Sequence, residues 1–165
     1  ETYPPTLENH WFAGRVVPTN EALKHVAGKW TAQNDDDDVW LPEHLEILLR
    51  FAQYHDYELV SAAHEANGVK VAPYNLDGVK IGGVQTWLYR SYLNSFKWNP
   101  DCWRKVGLNK VCDTDLQDRF RKAGVKMGYL DSVVTRVIPR PGDTVVGLAA
   151  ARENREQYLN RLFFK

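Results

Sequence analysis

Lys29-Trp30-Thr31-Ala32-Gln33-Asn34-Asp35-Asp36-Asp37-Asp38-Val39-Trp40-Leu41-Pro42 joins a short β-rich run to four consecutive carboxylates and then to the start of an apolar helix. Lys29 to Gln33 reads as a strand. Pro42 sits where a helix opens, at the position whose N–H has no intrahelical partner, and Leu45, Leu48, Leu49 and Ala52 then recur at helical spacing. The acids therefore fall beyond a strand end, where open α/β sheets hold ligands. Adjacent like charges raise one another's pKa, but water screens an exposed acidic run, which needs no partner. Wedged between Trp30-Thr31-Ala32 and Val39-Trp40-Leu41, this run is better served by a divalent cation, since Mg²⁺ and Mn²⁺ take clustered carboxylate oxygens. Asp35 and Asp37 point the same way if the segment is extended. An EF-hand is excluded, because its Gly and distal Glu are missing at loop spacing. On the run alone, a solvated face and a metal site both stay open.

Outward from this segment, Asn20 to Val26 reads as a helix stopped by Gly28, and Tyr57 to Ala63 as a buried strand. Val69 to Ala72 and Val79 to Ile81 are β-rich, joined across a hairpin signal at Asp77-Gly78. Thr86 to Leu93 is expected to be helical, as is Asp113 to Ala123, which Gly124 ends. Lys126 to Leu130 and Val133 to Ile138 read as two strands. A break at Pro139-Arg140-Pro141-Gly142 precedes a terminal helix from Leu148 to Phe163, and Glu1 to Leu7 is expected to be extended. Alternating strands and helices predict an α/β fold, a mostly parallel Rossmann-type sheet flanked by helices, in one domain over residues 1–165.

Composition bounds the function. The chain has 165 residues, 44% of them hydrophobic, with 21 Lys plus Arg against 21 Asp plus Glu. That balance gives no global field for nucleic acid. No apolar run approaches the ~20 residues needed to span a bilayer. The expected location is cytoplasmic, with peripheral contact to a membrane left open. Cys102 and Cys112 lack CxxC spacing and read as reduced thiols, although a single disulfide stays open.

A second acidic cluster, Cys112-Asp113-Thr114-Asp115-Leu116-Gln117-Asp118, stands at a helix start. The plain reading makes Asp113 or Thr114 an N-cap; the functional one makes Asp113 a general base. The five histidines show no ligand spacing within one helix. Trp87, Tyr89, Tyr92, Phe96, Trp98 and Trp103 are core residues by default. Arg152, Arg155 and Arg161 make the terminal helix basic and amphipathic, and docking on its own domain or on a missing one is the expected role.

These parts occur together and in order. Gly14, Asn20, Ala22-Leu23 and Gly28-Lys29-Trp30 run into Asp35-Asp36-Asp37-Asp38-Val39-Trp40 and Pro42, and Asp113-Thr114-Asp115-Leu116, Arg119 and Gly124 follow. From Gly14 to Leu130 the chain resembles the family 2 glycosyltransferases of the GT-A fold. The resemblance implies a metal-dependent, inverting enzyme that moves a sugar from a nucleotide-diphosphate donor to a carbohydrate or other hydroxyl acceptor. Asp35 and Asp37 would fill the Asp-x-Asp positions that hold Mn²⁺ or Mg²⁺. Asp113 would be the catalytic base. Arg15, Asn20 and Asp36 would contact the nucleotide sugar, and Thr86-Trp87 the acceptor. Cys112 stands where the family usually has Glu. The family's first strand–helix–strand unit, which holds the nucleoside, has no counterpart before Gly14, so the chain is expected to be a fragment of a longer protein or else an unusually reduced member. The competing class is a non-catalytic GT-A-like binding domain or inactive fragment. A nucleotidyltransferase shares the metal logic, but no Gly-rich basic phosphate loop is present.

Overall fold

The computed structural model describes residues 6–104 and 111–154. In chain order its helices and strands are α1 (Leu7–Ala13), α2 (Val16–Leu23), β1 (Trp30–Ala32), β2 (Asp38–Trp40), α3 (His44–His55), β3 (Leu59–Ala66), β4 (Val69–Lys70), β5 (Tyr74–Leu76), β6 (Val79–Ile81), β7 (Leu88–Arg90), α4 (Cys112–Lys122), β8 (Met127–Val137) and α5 (Gly147–Glu153). The main sheet runs β1-β7-β3-β8-β2, with β4 added to β3, while β5 and β6 form a separate hairpin.

The sheet is mixed rather than mostly parallel. Only β3 and β8 run parallel among the described strands; β1–β7, β3–β7, β3–β4 and β2–β8 are antiparallel. A parallel pair needs a long crossover, and here the chain between β3 and β8 includes α4. Short connections elsewhere return the chain antiparallel, as between β3 and β4, where Asn67 (φ 52°) and Gly68 (φ 75°) turn it. The two strands expected over Lys126 to Ile138 are one, β8. Its register against β3 shifts on either side of Ala63, so Leu130 and Val133 face consecutive β3 residues and Asp131-Ser132 bulge out.

Thr86 to Leu93 is not an α-helix. A 3₁₀ turn (Val84–Thr86) leads into β7, and a second 3₁₀ segment (Ser91–Phe96) follows. Leu88 and Tyr89 are both buried, because β7 lies between β1 and β3 with core on each face. A short apolar run fits a helix or an interior strand equally, and pairing on both edges selects the strand. Asp77-Gly78 does turn a hairpin (φ 49° and 85°), but it joins β5 to β6. Helix α2 begins at Val16, four residues before the expected start, and α1 precedes it.

Two apolar clusters clamp the sheet. On one side, Leu48 and Ala52 of α3 pack with Val60, Ala62, Leu88 and Val134. Leu116 and Phe120 of α4 join Leu59, Tyr89, Trp87 and Trp98 in the other. Full burial of a side chain such as Phe120 contributes roughly 1.5–3 kcal/mol. This cluster fixes α4, and with it the chemistry at its first turn. Helix α5 docks on the domain through buried Ala150 and Ala151, and Arg152 donates to Glu8 of α1. Pro4-Pro5 and the part of the expected terminal helix beyond Asn154, with Arg155 and Arg161, lie outside the described residues.

Candidate active site

The acidic run curls into a turn instead of extending. Asp38 N–H donates to the Asp35 carbonyl (3.2 Å), and Ile138 N–H, just past β8, donates to the Asp37 carbonyl (2.9 Å). Val39-Trp40 then pair with β8, so strand β2 stands between the acids and helix α3. The turn brings Asp35, Asp37 and Asp38 together, each offering a carboxylate oxygen within 4.8 Å of the others. Asp36 points outward, its side chain 82% exposed, and accepts from Arg140 at 3.0 Å.

Charge at the cluster is under-compensated. Arg15 donates to Asp35 Oδ1 at 2.9 Å, and the Arg140 Nε lies 3.5 Å from Asp37. Burial nonetheless pushes the Asp37 carboxyl up. Burial, then the neighbouring Asp35 and Asp37 charges, push Asp38 up to about 7. Three clustered carboxylates, none of them fully exposed, form the hard oxygen donor set that suits Mg²⁺ or Mn²⁺. The residues present fit such an ion.

Asp113 occupies the first turn of α4. It is not the N-cap: that position belongs to Val111, which makes no side-chain capping bond. The Asp113 Oδ1 accepts from Thr114 N–H (2.9 Å), and burial raises its pKa while Arg15 opposes the rise. Asp113 lines one cavity of about 500 Å³ together with Arg15, Asp35, Asp37, Asp38, Gln85 and Arg140. That volume lies within the range of small-molecule sites. Cys112, beside it, is buried and free, as is Cys102. The hydrogen bond to Cys102 and burial hold the Cys112 thiol protonated.

Several expected contacts have other partners. Asn20 clamps the Trp98 backbone, with its Nδ2 on the carbonyl and its Oδ1 on the N–H, each at 2.8 Å, so it braces the fold. Thr86 is fully buried, its hydroxyl accepting from Ala62 N–H and donating to the Gly83 carbonyl. Trp87 is 1% exposed, and its indole N–H donates to the Gly82 carbonyl (2.8 Å). Gly83, Val84 and Gln85, just before them, face the main cavity. Three lining residues escape a reading of the sequence. Asp38 turns away from Asp35 and Asp37 in an extended run and joins them only in a curled one. Arg140 sits inside a Pro/Gly break, and Gln85 carries no local signal.

A family model for glycosyl transferase family 2 matches residues 12–117. The chain belongs to this family. Its match begins just before Arg15 and takes in the acidic turn and Asp113. The chain is 30% identical over 105 residues to the Escherichia coli UDP-Glc:alpha-D-GlcNAc-diphosphoundecaprenol beta-1,3-glucosyltransferase WfgD, covering 56% of this chain and 41% of that enzyme. It also resembles S. aureus TarS 1-349 in complex with UDP, with TM-score 0.57 and 17% identity over 90% of this chain and 51% of that one. A second TarS 1-349 structure gives TM-score 0.52 and 19% identity over 75% of this chain and 40% of that one. The family 2 chain thus spans about half the length of these relatives or less. Its fold is the α/β GT-A type. Among the described residues, no helix is long and apolar enough to cross a membrane.

Proposed function

We propose that this chain carries the metal and base machinery of an inverting, nucleotide-sugar-dependent glycosyltransferase. One observation carries the reading: Asp113 and the Asp35, Asp37, Asp38 cluster line the same cavity. Asp35, Asp37 and Asp38 would hold Mn²⁺ or Mg²⁺, which would supply charge neutralisation for the departing nucleoside diphosphate. Arg15 orients Asp35 and supplies a second positive group to the cavity. Asp113 accepts the proton of the acceptor hydroxyl as that oxygen forms its bond to the anomeric carbon and the nucleoside diphosphate leaves with the old bond's electrons. Its raised pKa brings it closer to working pH, where a general base is most effective. A single displacement inverts the anomeric centre. The chain acts as one domain, and its partners are a nucleotide-sugar donor and a carbohydrate or other hydroxyl acceptor.

The likeness to WfgD makes UDP-glucose the first donor to test. Release of UDP from UDP-glucose and other UDP-sugars, with Mn²⁺, Mg²⁺ or a chelator, tests the reading. Metal-dependent release is expected. If the full natural protein neither binds nor turns over any nucleotide sugar with either metal, the non-catalytic alternative stands instead.

A further inference from the structure

The chain's two cysteines, which the transfer chemistry leaves unused, meet beside Asp113. Cys102 sits in a short 3₁₀ turn (Cys102–Arg104), and Cys112 is the first residue of α4. Both are buried in the cluster that holds Leu116 and Phe120, and their thiols are hydrogen-bonded to each other. The Cys112 S–H donates to the Cys102 sulfur. The Cys102 S–H donates onward to the Phe12 carbonyl in the last turn of α1 (3.5 Å).

A buried thiol ordinarily packs as a small, inert hydrophobe. This pair departs from that in two respects. Cys112 lines the main cavity alongside Asp113 and Phe12, so a solute the size of water, once admitted there, stands next to the paired sulfurs. The hydrogen bond from Cys112 also holds the Cys102 thiol below its ordinary pKa, which favours the thiolate, the nucleophilic form.

The middle of α4 is fixed by the packing of Leu116 and Phe120. Its first turn is held less firmly, since the N-cap Val111 makes no side-chain capping bond. A disulfide needs its sulfurs about 2.05 Å apart, closer than any hydrogen-bonded pair. Forming one removes both S–H donors and draws the first turn of α4 toward Cys102. Asp113, the next residue along, moves with it.

We infer that Cys102 and Cys112 form a reversible disulfide that holds Asp113 out of its working position, a redox latch on the proposed base. The bond itself goes beyond the transferase reading; its effect on sugar transfer rests on that reading. Hydrogen peroxide serves as the oxidant. The Cys102 thiolate attacks one peroxide oxygen, the O–O bond breaks, and the departing hydroxide takes up the proton that Cys102 lost. The Cys112 sulfur then attacks the sulfenic sulfur of Cys102, the S–O bond breaks, and hydroxide leaves as water with the Cys112 proton. Two thiols become one disulfide, and one peroxide becomes two waters.

The test exposes the full natural protein to hydrogen peroxide and then to dithiothreitol. Non-reducing peptide mapping should show Cys102 joined to Cys112, two hydrogens lighter than the free peptides together. Release of UDP from UDP-sugars with Mn²⁺ should fall about tenfold or more on oxidation, as an ångström-scale misplacement of a reacting group does. Dithiothreitol should restore it. Mn²⁺-dependent UDP affinity should change less than about threefold, because the latch acts on the base and not on the acidic turn. Cys102→Ser, which keeps a donor for the Phe12 carbonyl, should release UDP as fast as the reduced wild type and resist peroxide. Cys112→Ser should resist peroxide too. Absence of the cross-linked peptide overturns the inference, as does a cross-link that leaves UDP release unchanged. An equal peroxide loss in both serine variants overturns it by placing the damage elsewhere, and a matching loss of UDP affinity does so by assigning the effect to the fold. Reduced wild type that neither binds nor turns over a nucleotide sugar overturns the transferase reading and the link to Asp113, while the peptide map still decides the disulfide.

Discussion

Two acidic clusters of similar density behave oppositely in this molecule. On α4, Asp115 pairs with Arg119 (3.0 Å), and Asp118 pairs with Arg121 (3.0 Å) and Lys122 (2.6 Å). Lys122 and Arg121 hold Asp118 below the usual carboxylate range. In the turn after β1, burial and mutual repulsion raise Asp37 and Asp38, although Arg15 and Arg140 stand alongside. Asp113 shares the helix cluster with Asp115 and Asp118, yet its pKa is raised like those of the turn. Acid density therefore does not separate surface from site. What separates them is whether each carboxylate meets a cation before it loses water.

Substitutions that remove one charge at a time test that division. The largest effect is expected from Asp113→Asn, which should lower sugar transfer by about 10²–10⁴-fold, the usual worth of a general base, while UDP binding persists. Steady-state release of UDP, set against calorimetric UDP affinity, separates the two. Asp37→Asn should instead weaken Mn²⁺-dependent UDP binding by about tenfold or more, since it removes one of three hard oxygen donors. An unchanged affinity would return Asp37 to the class of bland acids.

The clusters should also respond to pH in opposite directions. Asp38 titrates near 7 in the fold against an ordinary 3.8, so between about 4 and 7 the folded state binds more protons than the unfolded one. Metal-free protein should therefore lose stability as pH rises through that window, and Asp38→Asn should flatten the slope. Asp118 works the other way: its lowered folded pKa contributes stability above 3.8 that is lost as pH falls through the folded value. Melting curves from pH 3 to 8 for wild type and the two Asn variants check both signs. The smallest effect belongs to Asp118→Asn near neutral pH, a loss of about 0.5–1 kcal/mol with Mn²⁺ binding untouched. If Asp118→Asn cost more than Asp113→Asn in transfer, the division would fail.

Local chemistry makes α3, α4 and the presence of an acidic site legible in the sequence. Pro42, the Leu45 to Ala52 spacing and Gly124 act within a few residues, and Gly124 ends α4 at φ 75°, the backbone state that favours glycine. Residues governed by distant partners are not legible. Asn20 finds Trp98 across 78 positions, and Thr86 finds Ala62 across 24, so neither role leaves a trace in nearby sequence. The same holds for β7, whose strand state depends on pairing with β1 and β3 on both edges. Asp38 joins Asp35 and Asp37 only because the backbone bond from Asp38 N–H to the Asp35 carbonyl curls the run. That geometry, not the count of acids, builds the three-oxygen set.

The central claim is that this turn and Asp113 serve one nucleotide-sugar cavity through a bound divalent ion. Titration calorimetry of UDP into the full natural protein, with Mn²⁺ and again with chelator, tests it most directly. The account predicts binding that needs Mn²⁺ and that Asp37→Asn weakens at least tenfold. UDP binding of equal strength with and without Mn²⁺, unchanged in Asp37→Asn, would contradict it.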